Sequence, residues 1–296
     1  MRRALFALVL ATAIVVPAFA QDAKYELKLK KEAQGDRVSV KSDETSDIHV
    51  LIDLMGQEVK NDEKSKEKKA YIEEILVHPA GAKKSTKLSR TYTAAEKTKG
   101  GTTKKQVYAG KTVVIEKKGE KKGEKYKFSI DGEEIAEDDA EELEKEFNKK
   151  EEFPLENEDL LPGKPVKLGE SWTVDSAKIV KSFEEDGPFV LDVQATKVTG
   201  KLLKVYAKDG KQYGTIELSL HLAVKELKLD GNPSKMKDGS KISGTMVLDI
   251  CIDGTSNSGT EKSTLKFDLS GEIPNGKIAI TGDVVSAKSG DEAPKK

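Results

Sequence analysis

Ile216, Leu218, Leu220, Leu222 and Val224 alternate strictly with Glu217, Ser219, His221 and Ala223. A period of two sends every second side chain to one face, so this stretch reads as a strand with one face buried and one wet. The pattern recurs in Tyr25/Leu27/Leu29, Ile48/Val50/Ile52/Leu54, Tyr126/Phe128/Ile130, Met246/Leu248/Ile250/Ile252, Leu265/Phe267/Leu269 and Ile278/Ile280. One-sided strands of this kind belong to antiparallel sheets. The chain is therefore expected to be mainly β with few helices, an antiparallel meander forming a curved sheet or half-open barrel. Within residues 216–229 the apolar phase flips between Val224 and Leu227, which predicts a β-bulge near Lys225-Glu226.

Residues 133–150 read as the clearest helix. Ala136, Ala140, Leu143 and Phe147 form a narrow apolar seam at i, i+4, i+7 and i+11. Acids fill its first turns, Lys145, Lys149 and Lys150 lie near its end, and Phe153-Pro154 stops it. Such a helix either covers the sheet or closes over a pocket as a lid. A short second helix is expected around residues 175–183. Asp131-Gly132, Lys208-Asp209-Gly210-Lys211, Asp230-Gly231-Asn232-Pro233 and Asp253-Gly254 are turn signals. Lys-Lys-Gly-Glu-Lys-Lys at 117–122 is partly repeated just after, as a small duplication in a hairpin tip. Residues 21–287 are read as a single β-rich domain, with sub-halves 21–132 and 160–287 joined by the helix and a Pro/Gly connection. Residues 288–296 are expected to be a disordered tail.

The first twenty residues have the form of a secretory signal peptide. Arg2 and Arg3 precede an apolar run, and Ala18-Phe19-Ala20 offers a cleavage site before Gln21. The apolar run is short for a membrane anchor, and no cysteine stands at the expected cleavage site to carry a lipid. A periplasmic or secreted product with no transmembrane segment in the mature chain is expected. Cys251 is the only cysteine, so no intramolecular disulfide can form. It reads as a small thiol packed in a strand, with an intermolecular disulfide or a reactive thiol as the alternatives.

The net charge of −1 hides an uneven distribution. Residues 83–127 carry fifteen Lys/Arg against four Glu, and residues 133–159 carry fourteen acids against three Lys. These segments either pair in the fold or present opposed patches. Near-neutral charge with few aromatics among the lysines argues against nucleic acid as a partner.

No residue pattern points to catalysis, a metal or a cofactor. His49, His78 and His221 have no second histidine at ligand spacing and read as surface or rim residues. Ser-x-x-Lys occurs at 65–68, 234–237 and 263–266, without the accompanying motifs that give such a serine its role. Neither a phosphate loop, a dinucleotide fingerprint nor a nucleophile elbow is present. A hydrolase with a dispersed site remains the minority expectation, and no ligand-binding residue can be named.

About a dozen amphipathic strands offer more apolar face than two helices can cover, and bare apolar surface on that scale is not tolerated. The sheet must fold over itself as a sandwich or curl into a barrel. A half-open barrel with a helix across its mouth leaves an apolar cavity suited to a lipid or other greasy ligand.

Pro165-Val166-Lys167-Leu168-Gly169-Glu170-Ser171-Trp172 resembles the Pro-Val-Lys-x-Gly-Asp/Glu-Ser-Trp segment of exported bacterial β-rich families of uncharacterised function. The wider arrangement is similar to open-barrel lipoprotein carriers of the LolA/LppX type. That likeness implies an exported, non-enzymatic carrier of an apolar ligand, and it transfers no catalytic residue. Trp172 is read as anchoring its connection into the core, with ligand contact as the alternative. The other class of function expected is an envelope structural or interaction protein using its charged surface or a sheet edge.

Overall fold

The computed structural model describes residues 23–82, 84–119, 125–148, 157–229 and 232–295. The expected leader at 1–20, most of the Lys-Gly-Glu duplication, Phe153-Pro154 and the Asp230-Gly231 turn lie outside the described residues. In chain order the strands are β1 (Lys24–Tyr25), β2 (Arg37–Leu54), β3 (Gln57–Val77), β4 (Lys87–Lys99), β5 (Thr102–Lys105), β6 (Thr112–Lys117), β7 (Tyr126–Ile130) and β8 (Glu133–Glu134). Helix α1 (Glu137–Phe147) and a 3₁₀ turn (Asn157–Leu160) follow, then β9 (Val166–Lys167), β10 (Ser171–Thr173) and helix α2 (Ser176–Asp186). The rest is β11 (Phe189–Leu191), β12 (Lys197–Lys208), β13 (Lys211–Leu229), β14 (Asn232–Lys235), β15 (Lys241–Cys251), β16 (Gly259–Ile273) and β17 (Gly276–Glu292).

Fifteen of these strands form one open antiparallel sheet in the order β10-β12-β13-β15-β16-β17-β2-β3-β4-β6-β7-β8, with β11 and β14 on β13 and β5 on β4. The fold is mainly β with few helices, as the alternation predicts, and the sheet does not close. Two meanders, one from each half of the chain, are joined where β17 lies along β2, from Gly276↔Leu54 to Glu292↔Val38. The sheet ends in the short strands β8 and β10, which leave little edge open to another chain.

The bulge falls where the phase flip places it. Between β11 and β13, Val190 pairs with Glu226 and Leu191 with Val224, so Lys225 is the extra residue. It keeps both Val224 and Leu227 buried. The second helix begins one residue after Asp175, whose side chain accepts the Ala177 N–H at 2.9 Å as an N-cap.

Two expectations are corrected. The helix expected over 133–150 starts at Glu137, because the Asp131-Gly132 turn folds Glu133 and Glu134 back onto β7 as β8. Residues 149–150 lie outside the described residues. The tail expected from 288 is strand as far as Glu292. Strand β2 extends to Arg37 and offers β17 a ladder along its whole length; beyond it, the Ala293 N–H still donates to the Arg37 carbonyl at 2.9 Å.

The buried apolar residues fall into two clusters on this one sheet. The first gathers Trp172, Ile179, Leu202, Ile216, Leu218, Leu222 and their neighbours in the C-terminal half, beneath α2. The second gathers Tyr71, Tyr92, Tyr108, Val113, Ile115, Phe128 and Leu143 in the N-terminal half, beneath α1. Between them the inner face turns polar. One register row reads Glu261, Lys288, Ser42, Lys69 across β16, β17, β2 and β3. The next reads Ser263, Ser286, Glu44, Glu67. Charged side chains cannot be packed dry without partners, so the two cores do not merge, and a cleft opens at the Glu261–Lys288 end of this band.

The oppositely charged segments of the sequence meet around α1. Lys97 binds Glu142 at 2.9 Å, Arg90 binds Glu146 at 2.8 Å and Lys118 lies 3.4 Å from Glu134. Beneath α1, burial raises the Glu44 carboxyl above the usual carboxylate range, and Glu67 adds to the rise.

Candidate functional site

The cleft has a volume of about 1390 Å³. One wall is apolar, with Met246, Leu248 and Ile250 from β15, Leu160 and Leu161 at the end of the 3₁₀ turn, and Phe183 from α2. The facing wall carries Val38, Val40, Tyr71 and Ile75 beside the buried Arg90 and its two carboxylate partners, Glu73 and Glu146. Glu261 and Lys288 lie on the floor between them.

Arg90 organises the polar wall. Its Nε binds Glu73 Oε2 at 2.7 Å and its Nη1 binds Glu146 Oε1 at 2.8 Å, while the guanidinium lies 4.4 Å over Tyr71 and 4.7 Å over Phe147. Burial alone would push the Glu146 carboxyl up; Arg90, with help from Lys69, outweighs it and holds Glu146 below the usual range. The same two carboxylates keep Arg90 firmly protonated against its own desolvation.

A strap crosses one end of the cleft. After β1 pairs with β9, the chain passes β15, where the Lys28 N–H donates to the Ile252 carbonyl at 2.9 Å, and reaches Glu32. There the Ser85 hydroxyl donates to Glu32 Oε2 at 2.8 Å, and His78 Nδ1 lies 3.1 Å from the same hydroxyl oxygen. Lys30 and Asp36 close the strap with a 2.9 Å ion pair. Glu32, Ser85 and His78 share the components of a hydrolytic triad but not its order. The serine sits between the acid and the imidazole and donates its hydroxyl hydrogen bond to the acid, so the imidazole is not placed as its general base. The group is a fastening. Replacing Ser85 by alanine is expected to cost about 1 kcal/mol. It should also speed hydrogen exchange of the amides at 28–33, while those of β13 stay protected; unchanged exchange in the strap would show that it is held by other contacts.

The residues weighed from sequence fall as follows. Trp172 is buried; its indole N–H donates to the Leu160 carbonyl at 2.9 Å and its ring sits on Gly200, where any Cβ would overlap it. It anchors the connection and does not line the cleft. Cys251 is buried and unpaired, its thiol donating to Asp253 Oδ1 at 3.0 Å. Asp253 is held well below the usual range by the Gln212 N–H, the Thr255 hydroxyl and this thiol. His221 is exposed on β13 and His49 lies at the surface between Asp47 and Asp62. Ser65 and Lys68 share β3, and Ser263 and Lys266 share β16, so the period of two puts each pair on opposite faces. Sequence reasoning did not find Arg90, Glu73 or Glu146, which no local motif marks.

A smaller pouch of about 110 Å³ opens beside the apolar wall, lined by Ile179, Phe183, Val198, Leu218, Leu220 and Leu265 among others. Leu160, Phe183 and Met246 border both spaces. Among the described residues no helix is long and apolar enough to cross a membrane.

Neither the known protein families nor the curated proteins give a match to this sequence. Among solved structures, the chain is similar to an outer membrane channel from Pseudomonas putida F1, with a TM-score of 0.21 and 8% identity, covering 88% of this chain and 96% of that one. A likeness at that level supports no inference about what this chain does.

Proposed function

We propose that this is an exported, non-enzymatic protein that holds a lipid or other amphipathic ligand in the cleft of its open sheet. The observation that carries the reading is the pairing of one apolar wall with a mixed wall, bearing Arg90 and its two carboxylates, around about 1390 Å³. A filled core has no such space, and a water-filled active site has no need of so large an apolar wall. Residues 1–20 support export, and the ion-paired state of Arg90, Glu73 and Glu146 supports a binding role over a catalytic one.

Titration with a fluorescent fatty acid tests this. Wild-type protein should bind saturably. Leu248→Glu, which puts a charge into the apolar wall, should weaken binding about tenfold or more, equivalent to about 1.4 kcal/mol. Absence of saturable binding to the wild type, or equal binding by both, refutes the assignment of the cleft.

A further inference from the structure

We propose that the pouch beneath α2 is the subsite for the hydrocarbon end of a single-chain amphiphile; the inference rests on the cleft being a ligand site. The pouch has a definite origin in the register. Leu220 of β13 pairs with Gly244 of β15, and Gly244 pairs with Leu265 of β16. Directly opposed residues share a face of the sheet, so this row reads large, absent, large. No side chain can be added at the gap, since a Cβ on Gly244 would run into the Thr264 carbonyl. The effect shows on β13. Leu218 and Leu222 are buried to 1% and 0% exposure, while Leu220 between them on the same face is only half-buried. Its side chain faces empty space under Ile179 and Phe183.

The lining selects the occupant. Among the described residues, Thr245 and Ser263 are the pouch's only polar lining residues and no charged side chain lines it. A dry apolar void weakens a core unless something fills it. Spaces of this order accept small hydrocarbons in preference to water, as an engineered apolar cavity of about 150 Å³ accepts benzene. The pouch is too small for a fused ring system or a second chain, and it meets the cleft at Leu160, Phe183 and Met246. A single alkyl chain lying along Met246, Leu248 and Ile250 can end there, with its polar head left over the charged floor.

Competition on the unmodified mature protein tests this without a variant that has to fold. Benzene binding is followed by the methyl resonances of Ile179, Leu218 and Leu220, and octanoate, decanoate and dodecanoate are then added. Benzene should bind saturably at these methyls, and dodecanoate should displace it. Affinity should rise about fourfold per methylene along the series, as expected for burial of each CH₂. Simultaneous binding of benzene and dodecanoate overturns the subsite and leaves the cleft assignment standing. Failure of dodecanoate to bind anywhere, with benzene still bound, removes the cleft assignment and the subsite with it. Failure of benzene to bind, with dodecanoate bound, overturns the subsite alone. Leu265→Phe, which fills the pouch, should abolish benzene binding and lower dodecanoate affinity at least tenfold while sparing octanoate; equal dodecanoate affinity in this variant contradicts the proposal.

Discussion

Replacing Trp172 by alanine is expected to lower the unfolding free energy by about 3–5 kcal/mol, the usual cost of emptying a buried aromatic site. The magnitude follows from three features that fail together. The ring is buried among the residues of the C-terminal core, its N–H satisfies the Leu160 carbonyl, and its face covers Gly200 in β12. The connection from the 3₁₀ turn to β10 is held to the sheet at this point, so the loss also loosens one border of both cleft and pouch. Trp172→Phe retains most of the packing and leaves the Leu160 carbonyl without its donor, for an expected loss of about 1–3 kcal/mol. Gly200→Ala should be destabilising although it adds a single methyl, because the indole has nowhere to move. Denaturant unfolding followed by circular dichroism reads all three as shifts in midpoint at constant slope. A Trp172→Ala variant within about 0.5 kcal/mol of wild type would mean that the indole is not an anchor.

Arg90→Met should be destabilising at neutral pH and should recover as the pH falls. Methionine keeps the aliphatic length against Tyr71 and Phe147 but removes the charge, leaving the partly exposed Glu73 and Glu146 without the guanidinium that binds them both. Breaking a fully buried pair from one side costs about 3–5 kcal/mol; the Glu73 and Glu146 side chains keep 24% and 37% of their exposure, so water screens part of that cost and the expected loss is about 1–3 kcal/mol. The pH dependence has opposite signs in the two proteins. In the wild type the folded pKa of Glu146 is depressed, so its contribution is fully present above the unfolded carboxylate value of about 4.3 and is lost as pH falls through the folded one. In the variant, burial is left unopposed by Arg90 and the folded pKa rises. The penalty then appears as pH climbs above about 4.3 and is absent below it. Urea unfolding at pH 7 and at pH 4.5 should show a gap between the proteins that narrows in acid. An equal gap at both values would contradict the ionic role given to Arg90.

The strands that bury one face announced themselves, and those that do not were silent. Residues 216–224 and 246–252 alternate because they lie over the apolar clusters, and the flip at Lys225 is visible because both Val224 and Leu227 must stay inside. Residues 57–68 and 283–292 have no such alternation. Their length is imposed by the ladders of β2, which neither segment records in its own residues. That is why the tail from 288 reads as unstructured and is strand to Glu292. Glu133 and Glu134 are equally good first-turn acids and edge-strand residues, and the Asp131-Gly132 turn decides between them. The cleft was legible only as a surplus of apolar strand over covering helix. Its walls come from segments near 29–40, 71–82, 157–161 and 246–261 together with Arg90 and Glu146, which only long-range pairing brings together. Arg90 is one of fifteen bases in a Lys-rich stretch, and nothing nearby distinguishes it from its solvated neighbours. The pouch depends on Gly244 facing Leu220 and Leu265, a coincidence of register between three strands.

Native mass spectrometry of mature protein extracted gently from its host bears most directly on whether the open sheet holds a ligand. A mass exceeding the chain by that of one or a few related amphiphiles, released on denaturation, is the expected result. Protein that emerges at its bare chain mass, and that stays bare after incubation with single-chain lipids, would contradict a carrier role for the cleft.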